Sequence, residues 1–281
     1  MFYEAVGQPH TSHPRPRKTA RTSEWWRYDL ATNGQCHSRP APVRLNVAFQ
    51  EQLIAAVDGR RGTDAADRLC EACVLLFDVD AAAISIVFDG ANSGTLGSSS
   101  KTARVYDELQ FTLGEGPCLD SVAQRSPVHM ADLADPDDAR WPIYGPALLS
   151  HDIRGVFAMP VLVAGEHIGA LDLFRSTPGH LAEHHFAGAI VAAELAEFSL
   201  LDLMDDDMQA AVSDPESNAW AELHALSRAE VSQATGMLVA QLGVEPAEAL
   251  VRLRAHAYAT GRSSTDVARD ILDRRLRLEV D

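Results

Sequence analysis

The 281-residue chain is poor in lysine, in cysteine and in long apolar runs. Of its 24 basic residues only Lys18 and Lys101 are lysines, a bias that GC-rich codon composition produces, as it does the abundance of alanine. It carries no functional information. Four cysteines, Cys36, Cys70, Cys73 and Cys118, are too few for a disulfide framework in a chain of this length, so reduced thiols are expected. The longest apolar run, Val156 to Ala164, is broken by Pro160 and falls well short of the roughly 20 residues a bilayer crossing needs, which excludes a transmembrane helix. The basic residues Arg15, Arg17, Lys18 and Arg21 lead into Trp25-Trp26-Arg27 rather than an apolar stretch, so no secretory signal is expected and the expected compartment is the cytoplasm.

What is present is the composition of a soluble globular protein, 46% hydrophobic and 23% charged, with length enough for two ordinary domains. The formal charge of −16 argues against broad, non-specific binding of nucleic acid. Its distribution is uneven. Residues 1–44 hold seven Lys/Arg against three acids, residues 45–213 hold nine against 26, and residues 214–281 hold eight against 11. Within the last segment, residues 252–277 carry seven arginines against Asp266, Asp270 and Asp273, a basic patch on an acidic protein.

Residues 1–44 mix Pro, Arg, His and Ser without a period and read as a mobile N-terminal tail. A first domain is expected over 45–204, a linker over 205–220 and a second domain over 221–281. Val47 to Val57 is predicted helical, and Thr63 is the expected N-cap of a second helix. Ala82 to Phe88 reads as a strand closed by Asp89-Gly90, with Thr95 to Ser98 as its hairpin partner. A helix is predicted over Lys101 to Leu109, and Phe111 to Cys118 reads as a loop whose Pro117 suits a first helical turn. Asp132 to Trp141 is loop-rich, Tyr144 to Ser150 helical, and Gly155 to Val163 with His167 to Phe174 form an antiparallel hairpin.

Leu181 to Met204 is a long helix with two apolar sets, Phe186, Ile190, Ala193, Leu200 and Leu203 on one and Val191, Leu195, Phe198 and Leu201 on the other. A second chain is one cover for the second stripe and the domain's own core is the other. After the acidic break at 205–218, helices are expected over Ala221 to Leu242, Pro246 to Thr260 and Ser263 to Leu278, with Gly243 and Gly261 as stops and Ser263-x-x-Asp266 as a capping pattern. The fold class is therefore α+β followed by a three-helix bundle.

The reactive constellations are weak. His180-Leu-Ala-Glu183-His184 matches the H-x-x-E-H order of inverted zinc proteases, but it opens an apolar helix with no evident substrate loop. Cys70-x-x-Cys73 lies in a helical pattern with no second pair and reads as two buried small hydrophobes. Cys118 sits where a helix begins, a place that lowers a thiol pKa, so a redox role stands beside a structural one. No G-x-S-x-G is present, and the glycines at 94–97 and 114–116 lack a phosphate-binding lysine. No catalytic residue, metal site or cofactor is assigned.

Thr112-Leu-Gly-Glu-Gly-Pro-Cys-Leu-Asp120, Pro127-Val128, Asp132-Leu133, Trp141-Pro142 and Val161 to Phe174 together resemble the GAF domains of actinobacterial regulators, over about 46–204. Val231-Ser-Gln-Ala-Thr-Gly-Met-Leu238, Glu248-Ala249, Leu253-Arg254, Ala257 and Asp266-Val-Ala268 resemble the ANTAR domain, over about 222–278. The resemblance implies a six-stranded or similar antiparallel GAF sheet flanked by helices, a homodimer formed through helices leading to the output bundle, and a C-terminal module that binds tandem RNA hairpin loops in transcription antitermination or related control of nascent mRNA. Unpaired loops are where RNA exposes its base edges. Arg254 and Arg262 match basic positions of the family, whereas Thr235 departs from its common lysine.

These residues lead to a named surface. Arg254 is expected to face RNA while Arg252, two residues away, is solvated. Tyr258, one turn beyond, is placed to stack on a base or to join the core. Arg262, Ser263 and Ser264 present a guanidinium and two hydroxyls at the third helix's exposed start. Ala234, Gly236, Ala249 and Ala257 are expected to permit close helix packing beneath. Phe111, Trp141, Phe157 and Met159 are candidates either for the core or for the lining of a small-molecule pocket between the sheet and the Leu113–Arg125 and Pro136–Ser150 segments. A partner protein in place of RNA is the alternative reading of the bundle, favoured by the chain's acidity.

Overall fold

Period-two burial organises the first domain. In the computed structural model, which describes residues 42–88, 91–202 and 228–279, helices α1 (Pro42–Val57) and α2 (Gly62–Leu76) precede the hairpin of β1 (Ala81–Phe88) and β2 (Ala91–Ser98). There follow α3 (Lys101–Leu113), α4 (Pro117–Gln124), β3 (Val128–Met130), α5 (Tyr144–Leu149), β4 (Gly155–Val163), β5 (Glu166–Arg175) and α6 (Glu183–Asp202). The strands form one antiparallel sheet in the order β2-β1-β5-β4-β3, five strands among the described residues rather than six. The expected Asp89-Gly90 turn, the 205–220 linker, Met204, Cys36 and the tail up to residue 41 lie outside the described residues.

Alternation sends Ile84, Phe157, Met159, Val161, Leu171 and Leu173 to one face, under α1, α2 and α6. Ala83, Val156 and Phe174 point the other way, onto Tyr106 of α3, Trp141 and the α5 residues Tyr144 and Leu148. A sheet buried on both faces explains why its strands read as nearly continuous apolar runs. On α6 the core-facing residues are small from Gly188 through Ala189, Ala192 and Ala193 to Ala196, with Leu200 following at the last turn, and a Cβ at Gly188 would run into the Phe77 ring. Neither apolar stripe is the buried one as a whole: Phe186, Val191 and Leu195 are partly buried against the core, while Ile190, Phe198 and Leu201 are exposed.

Two local expectations change. Thr63 does not cap α2; Arg61 takes the N-cap position in extended conformation with its guanidinium on Asp202 of α6 rather than in a capping bond, and the helix starts at Gly62. Phe111 to Leu113 is helix, not loop. The buried face of Ala103, Asp107 and Gln110 continues through Phe111, and α3 stops only where Gly114 adopts φ 72°, which a side chain disfavours.

The C-terminal bundle comprises α7 (Ala229–Leu242), α8 (Pro246–Ala259) and α9 (Ser264–Leu272). Ser263 caps α9, its hydroxyl accepting the Asp266 N–H at 3.0 Å. That helix ends at Leu272 rather than Leu278, because Arg274 turns to φ 59° and the Arg275 and Leu276 amides fold back onto the Asp270 carbonyl. The start expected at Ala221 lies outside the described residues, and Arg228 stands at the N-cap of α7 with φ 46°. Val231, Ala234, Leu238, Ala249, Leu253, Ala257, Val267 and Ile271 form the bundle core, joined by Phe111 from α3. The described residues belong to one compact unit, and α8 and α9 both rest on α3.

Candidate nucleic-acid interface and its junction with the sheet domain

The contact between bundle and sheet domain is built around one ring. Phe111, near the end of α3, receives the Arg228 guanidinium at 4.3 Å and the Arg254 guanidinium at 4.3 Å from its centroid. Arginine over an aromatic face is attractive, the more so when water is excluded. Arg228 is buried, and its Nη2 donates to Asn92 Oδ1 on β2 at 3.1 Å. Asp107 and Glu108 are its acidic neighbours and oppose the downward push of burial on its pKa.

Beneath Arg228, on the α3/α4 face of the sheet, lies a closed polar cluster. Asp107 accepts hydrogen bonds from Ser85, from Thr95 and from Asn92 Nδ2, the last at 2.9 Å. Asp172 Oδ2 accepts from Gln110 Nε2 at 2.9 Å and lies 3.0 Å from Ser85 Oγ. Burial first, then the neighbouring Asp107 carboxylate, push the Asp172 carboxyl far above the usual carboxylate range. Ser85 has one proton, which its hydroxyl shares between Asp107 Oδ1 and Asp172 Oδ2. Gln110 also accepts the Cys118 N–H at 2.8 Å through Oε1. That approach needs Gly116, since a Cβ there would overlap the Gln110 side chain.

Asp107, Cys118 and Asp172 present ligand atoms within 4.8 Å of one another. Side-chain donors engage three of the four carboxylate oxygens, Asp172 Oδ1 is buried without a partner, and Arg228 brings a positive charge to the Asp107 side. Cys118 is fully buried, and burial followed by Asp172 and Asp107 drives its thiol well up, overriding the helix start expected to lower it. Burial raises the Cys70 and Cys73 thiols too. His180 and His184 do not converge as ligands: His180 packs against His129, at 5.4 Å between ring centroids, and His184 against His185 at 4.1 Å.

The residues expected to contact RNA are dispersed around the junction. Tyr258 is 57% exposed and so outside the core. With Arg262 and Ser263 it lines one wall of an 810 Å³ cleft whose other wall is Glu108, Pro146 and His151 of the sheet domain. Arg262 pairs with Asp270 at 2.7 Å. Arg254 faces the sheet domain through Phe111. The third helix does not start in the open: Ser264 is buried, donating to Thr112 Oγ1 of α3 at 3.1 Å, and the Ser263 oxygen is engaged in the cap. Ala234, Ala249 and Ala257 are fully buried in the bundle, whereas Gly236 is exposed and a Cβ there would meet nothing, so close helix packing does not account for it.

The four pocket candidates do not line one space. Phe157 and Met159 lie in the core under α1, α2 and α6, Trp141 in the core on the opposite face, and Phe111 in the bundle core. The sheet stands between the first pair and Trp141, which precedes α5. Trp141 Nε1 donates to Asp120 at 3.0 Å.

Sequence reading passed over Arg228, Asn92, Asp107 and Asp172. The two acids left a signal: Asp172 interrupts the apolar run Ala170–Phe174, and Asp107 sits on the apolar face of α3 between Ala103 and Gln110. Nothing local marks Arg228.

Comparison with known families matches a GAF domain over residues 63–200 and an ANTAR domain over residues 221–272. Similar solved structures include the GAF domain of a phosphoenolpyruvate-protein phosphotransferase from Coxiella burnetii (16% identity, TM-score 0.46, 61% of this chain and 99% of that one). Another is the GAF domain of the corresponding Acinetobacter protein (12%, 0.44, 60% and 97%). A third is fRMsr of Staphylococcus aureus in its reduced form (11%, 0.43, 55% and 94%). No curated protein matches the sequence.

Proposed function

From its GAF-ANTAR architecture, a GAF domain followed by an ANTAR domain, we propose that this protein is a ligand- or signal-responsive RNA-binding regulator, acting by antitermination or related control of nascent mRNA. ANTAR domains are RNA-binding antitermination regulators and GAF domains sense signals. The ANTAR match at the C-terminal bundle carries the reading. Tandem hairpin loops are the proposed target, a homodimer the proposed assembly, and regulation rather than catalysis the proposed role.

Arg254, Tyr258 and Arg262 are the proposed recognition residues, with Tyr258 free to stack on an unpaired base. Because Arg254 packs on Phe111 of the GAF domain, full engagement of RNA requires the junction to loosen, and a signal that acts on the GAF domain would reach the RNA surface through that contact. Replacing Arg254 and Arg262 together by alanine is expected to abolish binding to tandem hairpins in a gel-shift titration while the circular dichroism spectrum stays native. Wild-type affinity should fall steeply with salt as phosphate counterions are retained. Unchanged affinity in the folded double variant removes these residues from the site. Absence of RNA binding by the wild type favours a partner protein instead, a reading supported by Val251, an exposed apolar residue on α8, and by the acidity of the chain.

A further inference from the structure

A second cavity, about 420 Å³, opens at the domain junction beside Phe111. Its walls include Val231 and Thr235 of α7, Ala247 and Leu250 of α8, and the two arginines that stack on Phe111. The volume lies within the range of small-molecule sites. Two features of the arginines point to what it takes up. The Nε atoms of Arg228 and Arg254 are both buried and make no hydrogen bond, a costly state for a cationic donor and a rare one in a folded protein. Arg228 has Asp107 and Glu108 nearby, but the charge that acts on Arg254 is Arg228 itself. Among the described residues Arg254 has no ion pair and no hydrogen bond. A half-buried guanidinium beside a like charge, over an aromatic ring and next to an apolar cavity, lacks an anion.

We propose that this junction cavity binds a small organic anion, a carboxylate or phosphate head on an apolar body, with the head between the Arg228 and Arg254 guanidiniums and the body against Val231, Ala247 and Leu250. The guanidinium fork suits either head, and the apolar walls select an organic anion over an inorganic one. Since the cavity is bounded by β2 and α3 of the GAF domain on one side and α7 and α8 of the ANTAR domain on the other, an occupant bridges them and stabilises the docked arrangement by mass action. The proposal does not depend on RNA binding.

Phenyl phosphate, benzoate and neutral benzyl alcohol, titrated calorimetrically into the full-length protein and followed by thermal melting, test it. At least one of the two anions is expected to bind and raise Tm, benzyl alcohol to do neither. Arg254→Gln, which removes the charge and shortens the side chain by two bonds while keeping a polar amide, should weaken the anion at least tenfold. Leu250→Trp, which fills the cavity and leaves both arginines in place, should do the same and serves if the first variant fails to fold. Failure of both anions to bind the wild type overturns the proposal, including the case in which an RNA hairpin binds and neither anion does, which would assign the guanidiniums to nucleic acid. Equal binding of benzyl alcohol, or unaltered anion affinity in the folded variants, overturns it as well.

Discussion

Asp172 shows how one buried side chain sets a pH response. Burial, and then the Asp107 carboxylate beside it, hold its carboxyl well above the 3.8 at which it titrates in the unfolded chain. Above that value the native state keeps a proton that the unfolded state has released, so the stability this group contributes falls as pH rises, until the folded carboxyl itself ionises. Urea denaturation followed from about pH 4 upward should show this downward trend in the wild type. Asp172→Asn, which cannot ionise, should flatten it; an identical slope in the variant would place the proton elsewhere.

Among the elements, α3 reaches furthest. Its first turns pack on the sheet through Ala103 and Tyr106, its middle holds the polar cluster through Asp107 and Gln110, and its last turn puts Phe111 into the core of the C-terminal bundle. Had the helix ended at Leu109, as turn chemistry around the glycines suggests, that last contact would be missing. Phe111→Ala is expected to cost about 3 kcal/mol or more and to uncouple the domains. Thermal melting should then resolve a separate, earlier transition for the bundle, whereas a single unchanged transition would mean the ring contributes little to docking.

At the scale of the whole molecule, charge and exposed apolar surface decide association. The basic patch counted along residues 252–277 is largely neutralised in space: Arg252 pairs with Glu248, Arg262 with Asp270, Arg269 with Glu230, and Arg275 with Asp270 and Asp273. Two of those acids, Glu230 and Glu248, lie outside the segment; Arg254, Arg274 and Arg277 have no ion pair among the described residues, and of these Arg254 faces the junction. On α6, Phe198 is 62% exposed, and the proposed homodimer uses it with Leu195 and Leu201 as its seam. Phe198→Glu should therefore shift light scattering toward the mass of one chain, 30.4 kDa, with the GAF domain still folded. A wild type that already scatters as one chain at every concentration would exclude the dimer.

The two domains, the β1–β2 and β4–β5 hairpins and the helix stop at Gly243 were legible in the residues themselves, because periodicity, caps and left-handed glycines act over a few positions of chain, whereas the last turn of α3 up to Gly114 and the short β3 were not. The GAF and ANTAR motifs belong to the same local register. Tertiary structure alone decided what each side chain faces. Strand alternation pointed Phe157 to one face of the sheet while the segment before α5 carried Trp141 to the other, and docking buried Ser264 and turned Arg254 onto Phe111. It also joined Arg228 to Asn92 across 136 positions of sequence. Such contacts arise from the closure of the whole fold, where burial and charge pairing are settled between segments that no local pattern connects.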